Sequence, residues 1–314
     1  MSRESPSVAD DPERSDRRDE SSQAPKIDDG RYVYCVVAAD DDSSLDTSGI
    51  EDEPVYVVTT DGTDADGIGA VVHSCDTVYD SADLTEIHGW LVRHQSVVDA
   101  AAESFGTPLP FQFDTIFRGD DETVRSWLEE HRDEIARILD SLAGHWEYRI
   151  DVRRTEPIDS ETLESADEHL ADMRREMDDA EPGRRYLLES KYDDRVQRLR
   201  SERNAALIED VRARLSDRVR EVHEAEDGSR RAVEGVSDTS TGDGDQAGGP
   251  GTTQGRSIGR LTVLAHEDAQ ADVGAVLDEV AERPDITVRF TGPWPPYSFT
   301  PSFGENGDAE SSEG

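Results

Sequence analysis

The sequence predicts an α+β protein of two modules, each a mixed sheet with helices on one face. Three observations lead to this prediction. Short aromatic and β-branched runs have the composition of strands, apolar residues recur at helical spacing between them, and polar acidic stretches flank both. Because strands alternate with helices after an early cluster of three strands, two α+β modules fit the pattern best.

The first module opens with three predicted strands. They cover residues 31–38, 54–59 and 68–75, which are mostly apolar and include many β-branched or aromatic residues. Residues 1–30 precede them and are rich in Ser, Asp, Glu and Arg, so we expect a disordered acidic extension there.

A helix is predicted next. Ser81 or Asp83 can cap its start, because a short side-chain oxygen accepts hydrogen bonds from the free N–H groups of a first turn. Gly106 and Pro108 end it. Its apolar face carries Leu84, Ile87, Leu91, Val98, Ala101, Ala102 and Phe105.

Residues 109–117 are expected to form one strand after this helix. Phe111, Phe113 and Phe117 would share one face of it, because side chains alternate between the two faces of a strand. The first module is then expected to span residues 31–118.

The second module is expected to span residues 119–301. A helix over 121–142 leads to residues 146–152, where apolar and charged residues alternate over seven positions, the strongest half-buried strand signal in the chain. Residues 159–225 should be helical, with a break near Pro182. The long charged helix after this break could project from the body, but an amphipathic helix lying on a sheet is favoured.

A flexible insertion is predicted inside the second module. Residues 226–257 are rich in Gly, Ser, Asp and Thr and cannot bury enough apolar surface to fold. The strand–helix–strand pattern over 258–291 needs the strand at 146–152 beside it to make a stable sheet. Residues 302–314 are expected to be a disordered acidic tail.

The charge of the chain limits its partners. Its net charge is −40, from 73 acidic and 33 basic residues, and only Lys26 and Lys191 are lysines. Such a surface is expected in molar salt, where the Debye length is about 3 Å and self-repulsion is screened. Nucleic acid is a poor partner because no basic stripe is present. No apolar run approaches the roughly 20 residues of a membrane span, so no membrane partner and a cytoplasmic location are expected.

No constellation of residues indicates catalysis. The sequence has no GxSxG, P-loop, HExxH or GxGxxG pattern after a strand. The aspartates within residues 61–66 lack the spacing of a calcium loop. His73 and Cys75 have no second His/Cys pair, and His88 and His94 are six apart where a helical metal pair needs three or four. We therefore expect no catalytic residues, no cofactor and no metal, and a protein that is not an enzyme.

Residues 291–299 differ from the rest of the chain, with three prolines and three aromatic residues in TGPWPPYSF. Proline fixes φ and removes N–H donors, so the segment should be rigid and extended. It could cover the protein's own core as a strap, or it could bind a partner, because aromatic residues are enriched at interface hot spots. The candidate partner-binding residues are Trp294, Tyr297, Phe299, Phe111 and Phe113.

With these motifs in order, the chain resembles the GvpF/GvpL family of gas vesicle proteins over residues 31–152 and 258–299. The most specific elements are PLPFQF and GPWPPY. The length, the acidic tails and the Gly-rich insertion favour a GvpL-type member from a halophile. The motifs are RYVYCVV at 31–37, LVRHQSVV at 91–98, PLPFQFDTIF at 108–117, WEYRI at 146–150 and TGPWPPYSF at 291–299.

The resemblance implies a two-domain α+β fold with ferredoxin-like features. It also implies a minor gas vesicle component or assembly factor, located in the vesicle and the cytoplasm, that binds the shell protein GvpA and other accessory proteins during nucleation. A shell subunit is very apolar on its gas-facing side, so an accessory protein that covers it would prevent aggregation. The alternatives are a scaffold that binds only other accessory proteins, and an enzyme with an acidic cleft.

Overall fold

The computed structural model describes residues 26–60, 67–224 and 255–301. The acidic tail and most of the predicted flexible insertion and N-terminal extension lie outside these ranges. Two predicted boundaries are wrong, because the first strand already begins at Lys26 and not at Arg31, and a later strand begins at Arg256, inside the predicted insertion.

The described residues form two sheets and seven helices, which confirms the α+β class. The first sheet has the strand order β2-β3-β1-β4, with β5 also paired to β1. Its strands are β1 (Lys26–Ala38), β2 (Tyr56–Thr59), β3 (Ile68–Thr77), β4 (Leu109–Pro110) and β5 (Ile116–Arg118). The second sheet has the order β7-β8-β6-β9. Its strands are β6 (His145–Arg154), β7 (Glu221–Glu224), β8 (Arg256–His266) and β9 (Ile286–Trp294).

Every strand pair within the described ranges is antiparallel, so the expectation of mixed sheets is wrong in that respect. The predicted partnership of the 146–152 strand with the final strands is confirmed, because β6 lies between β8 and β9. The helices are α1 (Leu84–Phe105), α2 (Asp121–Glu130), α3 (Arg132–Leu142), α4 (Ser160–Ala166), α5 (Glu168–Asp178), α6 (Pro182–Ser216) and α7 (Gln270–Ala281).

Helices cover both faces of the first sheet, where the sequence predicted one covered face. A register shift in β1 opposite β3 lies between Val33 and Cys35. Such a bulge reverses which side chains point to which face. The side chains that face α1 are Tyr32, Tyr34, Cys35 and Val37, and those that face α2 and α3 are Val33 and Val36. Because both faces are covered, residues 32–37 of β1 are apolar or aromatic throughout and fully buried.

The predicted helix over 121–142 is two helices that meet at His131. The His131 backbone lies outside the helical region, and its ring nitrogen Nδ1 is 2.9 Å from the carbonyl oxygen of Trp127. Apolar residues of both helices pack against the first sheet and also against Leu264 of β8. Helices α2 and α3 therefore contact both sheets. The module boundary expected at residue 118 stays a prediction.

The predicted strand over 109–117 is also interrupted. Only its two ends pair with β1, as β4 and β5, and Asp114 between them adopts a positive φ of 65°. The turn breaks the alternation of side chains. Phe111 and Phe117 pack on the α2 side of the sheet, whereas Phe113 packs on the α1 side. The prediction that the three phenylalanines share one face is therefore wrong.

The two halves of helix α6 pack against different parts of the protein. Pro182 begins it, which confirms the predicted break. Its first half packs with α4 and α5 in a small helical cluster through Leu188, Tyr192 and Val196. Its second half lies on the second sheet through Leu207, Ile208, Val211 and Leu215. The favoured interpretation, a helix lying on a sheet, therefore describes only the second half, and the predicted helical region ends at Ser216 before β7.

The contact between α6 and the second sheet can be tested at Gly259 of β8. A Cβ atom at this position would lie 2.5 Å from side-chain carbons of Ile208, whereas one at Gly274 in α7 would meet nothing within 4 Å. We expect Gly259→Ala to lower the free energy of unfolding by about 1–3 kcal/mol through overpacking. Gly274→Ala should raise it by about 0.5–1 kcal/mol, because alanine favours helix. Urea unfolding of both variants tests this, and equal stability of Gly259→Ala and the parent would contradict the packing.

Candidate functional site

The proline-aromatic segment, residues 291–299, which we call the strap, begins in the last part of β9. Trp294 pairs with Glu147 of β6, and the two prolines that follow are buried. Residues 297–299 then form a turn of 3-10 helix. Gly292 is required at the start, because its φ is 128° and a Cβ atom would lie 2.8 Å from the carbonyl oxygen of Glu147.

Glu147 fixes the strap to the second sheet. Its side chain is fully buried, and its Oε2 accepts a hydrogen bond of 2.7 Å from the backbone N–H of Ser298. Its Oε1 accepts from Nε of Arg149 at 3.1 Å. A buried carboxylate needs such partners, because an unpaired charge inside a protein is strongly unfavourable. The ion pair and the amide together therefore hold both Glu147 and the strap in place.

Tyr297 connects the strap to the first sheet and its helix α1. The ring is partly exposed, but its hydroxyl is buried and lies 3.3 Å from Nε2 of His94 in α1. This burial raises the pKa of Tyr297 well above its usual value. Tyr297 is therefore a neutral hydrogen-bonding group, and its contact with His94 spans 203 residues of chain.

His94 belongs to a buried group that we call the Tyr–His cluster: Tyr32, Tyr34, His73, Tyr79 and His94. The Tyr32 hydroxyl is 2.8 Å from Nδ1 of His94, and the Tyr34 hydroxyl is 2.8 Å from Nδ1 of His73. Nε2 of His73 lies 2.9 Å from the hydroxyl of Tyr79. The rings also pack closely, with 5.0 Å between the stacked rings of Tyr32 and His73.

Backbone donors fix the direction of these hydrogen bonds. The Tyr34 hydroxyl accepts from the N–H of Ile50, and the Tyr32 hydroxyl accepts from the N–H of Asp114. Each hydroxyl therefore has its hydrogen available for Nδ1 of a histidine. We infer that both imidazoles are neutral and carry their hydrogen on Nε2. In this arrangement the cluster is a satisfied hydrogen-bond network.

The pKa shifts agree with this assignment. Burial lowers the pKa of both His73 and His94 to about 4. Burial also raises the pKa values of Tyr32, Tyr34 and Tyr79. All five groups are therefore uncharged at neutral pH, and the cluster stabilises the fold and joins the strap to α1.

The predicted partner-binding residues do not form one exposed patch. Phe111 is 6% exposed and packs with Trp127 and Phe117 near α2. Phe113 lies beside His94, with 6.1 Å between ring centroids, so it shares the environment of Tyr297. Phe299 stacks on His223 at 4.5 Å and also packs against the core between the two sheets.

All of these contacts are made within the chain, as the strap interpretation expects. Trp294, Tyr297 and Phe299 are each only partly buried, which leaves a fraction of each ring at the surface. Their assignment to partner binding stays a prediction.

The two cysteines are free, with Cys35 buried and Cys75 partly buried. Burial raises the pKa of Cys75 to about 11, so its thiol is protonated and unreactive at neutral pH. No group of three or more His, Cys, Asp or Glu side chains able to hold a metal ion occurs in the part of the chain that the structure describes.

The two residues that anchor the strap were not predicted from the sequence. His94 falls in the apolar stripe of α1, three residues after Leu91 and four before Val98, and this position was a signal of burial. Glu147 gave no signal, because it alternates with apolar residues as a solvent-facing side chain would. Its burial depends on the strap, where Ser298 lies 151 residues further along the chain.

The comparisons with known proteins agree with this architecture. A family model described as gas vesicle synthesis protein GvpL/GvpF matches residues 30–301. The chain belongs to the GvpL/GvpF family. This confirms the resemblance carried by the motifs, and the match includes the Tyr–His cluster, Glu147 and the strap.

Relatives of this GvpL/GvpF protein come from halophiles. Gas vesicle protein L1 of Halobacterium salinarum is 39% identical over 281 residues, which cover 89% of this chain and 93% of the relative. Gas vesicle protein L2 of the same organism is 37% identical over 90% of this chain and 95% of the relative. Gas vesicle protein L of Haloferax mediterranei is 32% identical and covers 92% of each chain.

Two solved structures share the fold of this GvpL/GvpF protein. The crystal structure of GvpF from an Anabaena species superposes with a TM-score of 0.64 at 14% identity, over 88% of this chain and 99% of that chain. GvpF from Microcystis aeruginosa gives a TM-score of 0.56 at 16% identity, over 86% and 98%. Family membership supports a gas vesicle accessory role. None of the described helices is long and apolar enough to cross a membrane.

The Tyr–His cluster predicts a pH-dependent stability. The pKa of His94 is about 4 in the folded chain and 6.5 without burial, so between these pH values the unfolded chain binds a proton that the folded chain does not. Stability is therefore complete above pH 6.5 and is lost as the pH falls towards 4. From pH 7.5 to pH 5 we expect a loss of about 2 kcal/mol from His94.

Chemical unfolding at constant salt measures this loss. His94→Gln, which cannot titrate, should be less stable at pH 7.5 but lose about 2 kcal/mol less than the parent on acidification. The exposed His169 of α5 provides a control, since His169→Gln should follow the parent curve. Parallel curves for His94→Gln and the parent would show that His94 is not the titrating group.

The anchoring of the strap by Glu147 gives a second prediction. Glu147→Ala removes the acceptor for the Ser298 N–H and the partner of Arg149, so the free energy of unfolding should fall by about 2–3 kcal/mol. Glu147→Gln keeps an amide oxygen and should lose less. Hydrogen exchange at the Ser298 amide should become faster in Glu147→Ala than in the parent. Unchanged protection of this amide would exclude Glu147 as the anchor.

Proposed function

We propose that this protein is an assembly factor that binds the gas vesicle shell protein GvpA and other accessory proteins during vesicle nucleation. By covering the apolar surface of the shell protein, it would keep that protein from aggregating. Membership of the GvpL/GvpF family supports the vesicle role. The observation that supports binding of an apolar partner is the small set of large apolar side chains left at an otherwise highly charged surface.

Four large apolar side chains are exposed among the described residues: Leu84 and Val92 of α1, and Tyr186 and Leu187 of α6. Single exposed apolar residues are common on protein surfaces and need no explanation. Tyr186 and Leu187 differ because they are adjacent and are 73% and 64% exposed. We call this pair the α6 tip and take it as the first candidate contact for the shell protein.

The α6 tip is held on a fixed support. Arg184 pairs with Glu176 of α5, and Nε of Arg185 donates to the carbonyl oxygen of Met177 at 3.1 Å. These bonds join the start of α6 to the end of α5, so Tyr186 and Leu187 project from an ordered helix. Because this part of the chain is already ordered, binding of a partner costs little conformational entropy here, which favours affinity.

The net charge of −40 gives the complex its solubility. When an apolar subunit is bound to such a surface, the complex keeps the negative charge and repels other copies of the complex at short range. The strap aromatics Trp294, Tyr297 and Phe299 remain a second proposed contact. They are partly exposed, and their removal would also weaken the fold, whereas the α6 tip contributes little to the described core.

Co-purification with GvpA in molar salt tests this proposal. Tyr186→Ser combined with Leu187→Ser should reduce capture of GvpA about tenfold or more, as expected when a hot spot is removed. Leu84→Ser, which removes a leucine that is 79% exposed from α1, serves as the control and should capture GvpA like the parent. Trp294→Ala combined with Tyr297→Ala tests the strap in the same assay.

The melting temperature of each variant must be measured beside the capture. A variant that captures less GvpA but melts like the parent identifies a contact surface. If both double variants keep their fold and capture GvpA as the parent does, the proposed contacts are wrong. If the parent captures other accessory proteins but not GvpA, it is a scaffold and not a shell-binding factor.

A further inference from the structure

An open depression of about 640 Å³ lies where β6, α6 and the turn before β9 meet. Its size falls in the range of about 300–1,000 Å³ that is typical of ligand sites. Its lining residues are Arg154, Ile158, Arg203, Ala206, Leu207, Asp210, Arg283, Pro284 and Asp285. We call it the arginine depression, and it lies away from the strap and the Tyr–His cluster.

The charge of this depression is opposite to that of the chain. Basic residues are 33 of 314 in the whole sequence, and acidic residues are 73. In the depression three of nine lining residues are arginines, against two aspartates. On a protein of net charge −40, such a local excess of positive charge attracts anions that the remaining surface repels.

Two of the arginines are held in place by the aspartates. Arg154 forms an ion pair with Asp285, and its Nε donates to Oδ1 of Asn204 at 3.0 Å. Arg283 lies 3.6 Å from Oδ2 of Asp210. The aspartates therefore orient these guanidinium groups and neutralise part of their charge.

Arg203 is the third arginine, and within the described ranges it makes no hydrogen bond or ion pair. It lies on α6 one residue before Asn204, which holds Arg154. A guanidinium group has five N–H donors in a planar fork that matches a carboxylate. The donors of Arg203 are thus available to a ligand.

The pKa of Arg154 indicates that Asp285 does not fully offset the positive charges in the depression. It is lowered by burial and by the nearby charge of Arg283, despite the ion pair with Asp285. A bound anion would reduce the repulsion between Arg154 and Arg283. The free guanidinium group of Arg203 and the repulsion between its neighbours therefore favour the same kind of ligand.

Apolar side chains complete the lining of the depression. The half-buried Ile158 and the exposed Pro284 provide carbon surface beside the guanidinium groups, and the buried Leu207 lies next to them. A small inorganic anion would leave this surface in contact with water. A ligand with an apolar side chain next to a carboxylate would cover it and gain hydrophobic free energy.

We propose that the arginine depression binds a peptide segment of a partner protein in which an Asp or Glu side chain lies next to an apolar one. The carboxylate is bound by Arg203, with Arg283 and Arg154 beside it, and the apolar side chain lies on Ile158, Leu207 and Pro284. This site is independent of the proposed contact with the shell protein, because the α6 tip lies near the start of the helix and the depression lies beside its middle.

The test is fluorescence anisotropy of the full chain with a labelled, end-blocked peptide of alternating Leu and Glu, in molar potassium chloride. The same peptide with Gln in place of Glu is the comparison ligand. We expect the Glu peptide to bind at least about tenfold more tightly, since hydrogen bonds between charged groups are the stronger ones. Equal binding of the two peptides, or no binding of either, would overturn the proposal.

Variants locate the site. Arg203→Ala should weaken binding of the Glu peptide about tenfold with little change in the melting temperature, because Arg203 makes no hydrogen bond or ion pair within the described ranges. Arg198→Ala removes the same charge from α6 but about 140° away around the helix, and it should bind like the parent. If Arg203→Ala and Arg198→Ala bind equally, the depression is not the site.

Competition distinguishes a peptide from a small anion. Glutarate and inorganic phosphate, added at the same anion concentration as an unlabelled Glu peptide, should displace the labelled peptide far less well. If either displaces it equally well, the depression is a small-anion site and the peptide assignment is wrong.

Discussion

Residues 32–37 of strand β1 are buried on both faces, and the polar groups they carry must therefore find partners inside the protein. Its two tyrosine hydroxyls meet this requirement by donating to His73 and His94 while accepting from backbone N–H groups. His94 in turn meets the hydroxyl of Tyr297, so the same network that completes the first sheet also holds the strap. Apolar substitutes for these tyrosines would leave Nδ1 of each buried imidazole without its partner.

Local patterns in the sequence were sufficient to predict most of the elements. The strand over residues 146–152, the helix cap at Ser81 or Asp83 and the break at Pro182 each depend on near neighbours, and each is found in the structure, with Asp83 as the cap. The bulge in β1, the break at His131 and the positive φ of Asp114 depend on packing between distant elements, and nothing nearby in the sequence indicates them. The turn at Asp114 accounts for the wrong facing of the phenylalanines, and the bulge accounts for the facing of the side chains of β1.

The candidate site also has one part that could be predicted from the sequence and one part that could not. The strap was predicted as a rigid segment from its prolines and aromatic residues, because proline restricts the backbone wherever it occurs. Its anchors could not be predicted, since Glu147 has the sequence pattern of an exposed residue and is buried only by chain that follows much later. The α6 tip and the arginine depression are equally inaccessible to sequence reasoning, because a surface property depends on which neighbours fail to cover it.

Helix α6 fixes the distance between two candidate contact surfaces of the protein. It runs unbroken for 35 residues, or about 50 Å, from the small helical cluster to the second sheet. Tyr186 and Arg203 lie on it 17 positions apart, which corresponds to about 25 Å along a straight helix. Two partners seated at these positions would be kept apart by a stiff spacer, so the helix would set the distance between neighbouring components of an assembling particle.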